Sequence, residues 1–222
     1  MTKIDGYEIA TKIFERFIDA VRDYAKEMED AIVEGMKKGT ESKKFFEGLD
    51  VEKLARENFN LNRDMVQPLE GIRDEVSECS SPAEFETVAD SLIKLFQDKV
   101  HAAETYAIAQ SQPLLDMWNK YLQTLAALAL EINDYCIKQY FPIQTDFVQV
   151  KIKVSKGFMT PAPCAPIKVY FVSDCIQYAC ATNQGEWEFK LPKGKEFTFW
   201  TLKDGKEASK SVFLSGDIKV KL

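Results

Sequence analysis

The chain has 222 residues, 45% of them hydrophobic and 29% charged, a balance that excludes an intrinsically disordered chain and suffices for one large domain or two modest ones. Charge is uneven: residues 1–141 carry 17 Lys and Arg against 27 Asp and Glu, a net of −10, and residues 142–222 carry 12 against 8, a net of +4. All 12 of the latter are lysines, which argues against a nucleic-acid partner, because base and phosphate readers use the bidentate arginine fork.

The start, MTKIDGYEIATK, has polar residues where a secretory signal needs an apolar stretch, so a cytoplasmic protein is expected. From Ile13 the apolar residues Phe14, Phe17, Ile18, Val21, Tyr24, Met28, Ile32 and Met36 recur at steps of three and four, which predicts one long helix ending near Gly39. The loop GTESKKFFEGLD follows. A second helical pattern uses Leu54, Leu61, Met65, Leu69, Ile72 and Val76, with Pro68 expected to bend or break it.

SPAE, at Ser81 to Glu84, reads as a helix start, with serine at the cap, proline at the first position and glutamate at the third. No glycine interrupts Pro82 to Phe141, so this stretch is either one helix kinked near Pro113 or two joined at Gln110 to Gln112. Leu122 to Ile132 is apolar on almost every side and predicts a buried central helix. Its LAALAL run, Leu125 to Leu130, is far short of the roughly 20 residues that span a bilayer, so no transmembrane segment is expected.

After Phe141-Pro142 the period changes. Val148, Val150, Ile152 and Val154 alternate with Gln149, Lys151, Lys153 and Ser155, the pattern of a half-buried strand. The loop GFMTPAPCAP leads to a strand IKVYFV. A hairpin turns at Asn183-Gln184-Gly185, with Trp187, Phe189 and Leu191 inward and Glu186, Glu188 and Lys190 outward. EFTFWTL, SVFL and IKVKL complete an expected meander of about six strands. The fold class is α+β and multidomain: an elongated antiparallel helical bundle over 1–141, then a small antiparallel β-sandwich over 142–222.

The order of strands and the core G-x-W-x-F-x-L-P-x-G-x-x-F at Gly185 to Phe197 resemble the transthyretin-like β-sandwiches, which include carboxypeptidase regulatory-like domains and collagen-adhesin B-type repeats. The resemblance covers about 148–222 and implies a support, spacer or binding module. In adhesin repeats a first-strand lysine forms an intramolecular isopeptide bond. Here Lys151 and Lys153 lie on the polar phase and every inward position is Val or Ile, so that cross-link is not expected. Leu61 to Tyr121, with SPAEF and a glycine-free amphipathic helix, is similar to phasins, which coat polyester granules; that resemblance implies a coat for a hydrophobic granule or lipid surface.

Chemistry-bearing constellations are scarce. The single histidine, His101, lies on the polar-to-small side of a helix with no partner at catalytic spacing. Carboxylate pairs such as Glu29-Asp30 and Asp74-Glu75 read as solvated helix faces. Cys79, Cys136, Cys164, Cys175 and Cys180 lack zinc-ribbon or finger spacing, and in a reducing compartment they read as small buried thiols, with a Cys175–Cys180 bridge across a short hairpin left open. No catalytic residue, cofactor or metal ligand is assigned. The expected role is a non-enzymatic structural or assembly protein, homo-oligomeric or bound to a protein partner; a phasin-like coat is the alternative, then an enzyme of unknown reaction. The phase that buries Phe197 and Phe199 turns Trp200 and Leu202 to the other face. With Tyr170 they form the candidate interaction surface, against either the protein's own bundle or a partner.

Overall fold

The 3.6-residue period that begins at Ile13 folds as a single helix. In the computed structural model, which describes residues 6–40, 50–79, 84–108, 112–156 and 160–222, this is α1 (Gly6–Thr40). Phe14, Ile18, Val21 and Val33 are buried along it, with Phe17, Tyr24, Met28 and Ile32 half-buried beside them. Asp50 caps α2 (Val51–Asn58) by accepting from the Lys53 N–H at 3.0 Å.

The second helical pattern breaks earlier than its proline suggests. α2 ends at Asn58, and the chain re-enters helix with Asn60 Oδ1 accepting from Arg63 N at 2.9 Å and α1 Glu29 accepting from Leu61 N at 2.6 Å. A π-helical turn (Asn62–Val66) then runs into α3 (Gln67–Glu78), whose first turn holds Pro68. The widened turn and the N-terminal position accommodate the missing N–H, so the helix runs through Pro68 without a break.

The stretch after SPAE forms two helices, α4 (Phe85–Ile108) and α5 (Gln112–Tyr140), packed on each other. Ser81 to Ala83, and with them the expected cap, lie outside the described residues, as do 109–111. α5 packs on α1, on α4 and on the sandwich, as a central helix should, although Leu130 on it is exposed. Among the described residues no helix is long and apolar enough to cross a membrane.

Helix stops at Tyr140 and strand begins at Phe147. The strands are β1 (Phe147–Lys153), β2 (Ser155–Lys156), β3 (Thr160–Pro161), β4 (Pro166–Phe171), β5 (Asp174–Cys180), β6 (Glu186–Pro192), β7 (Glu196–Lys203), β8 (Lys206–Phe213) and β9 (Ile218–Lys221). They form a three-stranded sheet, order β6-β1-β9, facing a four-stranded sheet, order β5-β4-β7-β8, with β2 and β3 as a short ribbon. The expected meander is therefore corrected. β9 leaves β8 and runs parallel to β1, pairing Val220 with Ile152. β1, whose inward Val148, Val150 and Ile152 are all buried, gains a partner on each edge.

Between the sheets lie the β1 residues, Phe189 and Leu191 of β6, Ile167 and Val169 of β4, and Phe197 and Phe199 of β7. Trp187 packs half-buried against this core. Phe141, Phe171 and Phe197 close one end, with ring centroids 4.9–6.1 Å apart. Gly185, at φ +70°, lies so close to the end of β1 that a Cβ would sit 2.3 Å from Val154 O; only glycine fits this turn.

Candidate interaction surface

β5 is the joint of the molecule. As the first strand of its sheet it buries one face in the sandwich and the other against α4 and α5, and Cys175 to Cys180 are all buried. The cores exchange residues across it: Tyr178 and Cys180 belong to the helical core, and Ile137 of α5 belongs to the sandwich core. A lateral strand leaves main-chain groups without ladder partners. Here Asn133 of α5 supplies them. Its Nδ2 donates to Tyr178 O at 2.6 Å and its Oδ1 accepts from Tyr178 N at 2.9 Å, as a neighbouring strand would.

A second contact joins β4 to α4. The Lys168 side chain is only 7% exposed, and its ammonium lies 2.8 Å from Glu86 and 2.7 Å from Asp90. Tyr170 donates its hydroxyl to the same Glu86 oxygen at 2.6 Å. Burial pulls the Lys168 amine down, but its bonds to Asp90 and Glu86 outweigh that and hold it above its ordinary value. Burial raises the Glu86 carboxyl, and the bonds from Lys168 and Tyr170 more than reverse the effect. Burial, then the bond to Glu86, drives the Tyr170 hydroxyl well up.

The three candidate residues thus fall into different environments. Tyr170 is engaged with the protein's own bundle. Trp200 is opposite Lys168 in the β4–β7 register, half-buried, with the Lys168 ammonium 5.3 Å from its ring centroid. Leu202 is 39% exposed. Across from them on β8 stand the small or charged Ser209 and Glu207, and Thr198 bonds Ser211 at 2.8 Å between hydroxyls. The outer face of the four-stranded sheet is therefore divided: β5 and β4 meet the helices, while β7 and β8 present Trp200 and Leu202.

The residues that make this arrangement, Asn133, Lys168, Glu86 and Asp90, are absent from the sequence reading. Two of them leave a trace: Lys168 is the one charge in the apolar run PIKVYFV, and Asn133 interrupts an otherwise buried helical stretch.

Cys175 and Cys180 form no disulfide, and they do not face each other across a hairpin. They are five positions apart on β5, a span of about 16 Å at ~3.3 Å per residue, well beyond disulfide reach. The turn instead lies at Val172-Ser173. Burial pushes the Cys175 and Cys136 thiols up to about 12, so they stay protonated and unreactive at neutral pH. His101 is exposed on α4. Lys151 and Lys153 lie on the outer face of β1, where they pair with Glu188 and Glu186 of β6. Among the described residues no His, Cys, Asp and Glu are grouped to hold a metal ion.

No family model and no curated protein matches the sequence.

Proposed function

We propose that the chain is a structural or assembly protein that associates with a second copy of itself, the bundle acting as support and the outer face of β7 and β8 as the contact surface. The observation that carries this reading is the divided sheet: the helices cover the β5 side and stop, leaving Trp200 and Leu202 as an apolar patch flanked by Ser209 and Glu207. A tryptophan is the kind of side chain that anchors protein contacts. The net of +4 over residues 142–222 against −10 over 1–141 favours a head-to-tail approach of sandwich to bundle. The likeness to transthyretin-like support modules agrees with this role.

The test is the double variant Trp200→Ala, Leu202→Ser, followed by sedimentation velocity and thermal melting. Loss of an oligomer with an unchanged melt supports the contact surface. A lower melt in a protein that was monomeric throughout supports internal packing and contradicts the proposal, as does a wild type and variant alike in both measurements.

A further inference from the structure

A second site lies apart from the Trp200 face, along the edge of the other sheet. We propose that the free edge of β6 binds an extended, uncharged peptide segment as an added strand, seated in the groove between β6 and α5. β6 is an outer strand in the order β6-β1-β9, and among the described residues no strand pairs with its far edge. The direction of its main-chain groups follows from two hydrogen bonds. Val154 N donates to Gly185 O at 2.7 Å, and Lys193 N donates to Asp146 O at 3.0 Å. In an antiparallel ladder, residues facing the partner alternate with residues facing away. The odd positions from Gly185 to Lys193 therefore face β1, and the N–H and C=O of Glu188 and Lys190 face the groove.

The groove has a volume of about 680 Å³, within the ~300–1,000 Å³ usual for binding sites. Its apolar wall includes Leu130 and Ile137 of α5 and Phe147 of β1, and Leu130 is 51% exposed there. Gln177 of β5 also lines it. That side chain is 5% exposed, and its Oε1 has no hydrogen-bond donor among the described residues. A buried acceptor in this condition is costly, and an entering N–H relieves it.

Two lining carboxylates are already matched, Asp134 with Lys138 at 2.5 Å and Glu188 with Lys151 at 3.7 Å, and the Lys190 ammonium lies 5.5 Å from the Phe147 ring centroid, so the lining charges Asp134, Lys138, Glu188 and Lys190 cancel. The groove thus offers no net attraction to a charged ligand. An extended peptide meets all three features. Its main chain pairs with Glu188 and Lys190, alternate side chains reach Leu130, Ile137 and Phe147, and a donor reaches Gln177.

The probe is a fluorescent, end-capped TVTVTVT heptapeptide added to the full chain and read by anisotropy and by amide NMR. Binding is expected to shift the amides of Glu188 and Lys190 and the side-chain amide of Gln177. N-methylating the probe at alternate amides should weaken binding at least tenfold. Lys190→Pro should do the same without lowering the melt, since it removes an outward N–H and none from the ladder with β1. The Trp200→Ala, Leu202→Ser variant should bind the probe unchanged, which separates this site from the self-association surface. Absence of binding at millimolar probe, shifts located elsewhere, or equal binding of the N-methylated probe overturns the proposal; should Lys190→Pro not fold, the N-methylated probe on the wild-type chain decides.

Discussion

Replacing Asn133 by alanine removes the bracket between α5 and β5. Asn133 is 3% exposed and makes two main-chain bonds to Tyr178, at 2.6 and 2.9 Å. Deleting it leaves a buried N–H and a buried C=O without partners, at about 1–3 kcal/mol each. The expected cost is therefore roughly 2–6 kcal/mol, a large share of the roughly 5–15 kcal/mol that stabilises an ordinary domain. Urea unfolding, followed both by tryptophan fluorescence and by far-ultraviolet circular dichroism, reads the effect. With a slope of about 3 kcal/mol per molar, the midpoint should fall by roughly 1 M. Asn133→Asp should cost at least as much, because a carboxylate still accepts from Tyr178 N–H but sets an oxygen against Tyr178 C=O. A midpoint equal to that of wild type for Asn133→Ala would refute the idea that this side chain joins the two halves.

The Lys168–Glu86 contact gives a pH signature with a definite sign. Glu86 is lowered on folding, so its contribution is present above about pH 4.5 and lost as pH falls through the folded value; Lys168 is raised, so its contribution is present below about pH 10.5 and lost as pH climbs past the folded value. Thermal melts of Glu86→Gln should show a shallower acid limb than wild type, and an identical limb would count against the pair. Gly185→Ala should destabilise the chain by more than 2 kcal/mol in chemical denaturation, since its Cβ would collide with Val154 O and the residue holds φ +70°. Phe199→Ala, in the fully buried sandwich core, should cost about 3–5 kcal/mol, whereas Lys190→Ala on the outer face should stay within about 0.5 kcal/mol; the reverse order would mean that the strand phases are exchanged. Flotation with polyester or lipid particles should leave the protein in the aqueous phase, and co-flotation would support a coat instead.

Alternation made β1, β6 and β7 readable from sequence, because each has one face in the sandwich and one outside, so Val150 and Lys151, or Phe189 and Lys190, differ visibly in polarity. The same principle hid β5. Its two faces are both covered, by the sandwich core and by α4 and α5, so CIQYAC has no polar phase, and sequence alone leaves a hairpin between its two cysteines open. Pro68 marked a helix break that lies eight positions earlier, because a proline in the first turn of a helix costs little and the preceding π-helical turn accommodates it. The parallel pairing of β9 with β1 joins residues nearly 70 positions apart, and local pattern carries no information on such partners. The candidate surface was half legible: phase alone placed Trp200 and Leu202 opposite Phe199, but the hydrogen bond that engages Tyr170 and the ion pairs of Lys168 depend on Glu86 and Asp90 more than 75 positions away.

Hydroxyl-radical footprinting of the wild-type chain over a dilution series tests the proposed contact surface most directly. Ile143 and Val172, 91% and 86% exposed and belonging to neither β7 nor β8, serve as internal references. Labelling of Trp200 and Leu202 should fall as concentration rises while the references stay constant. Labelling of Trp200 and Leu202 that is the same at every concentration would contradict association through this face.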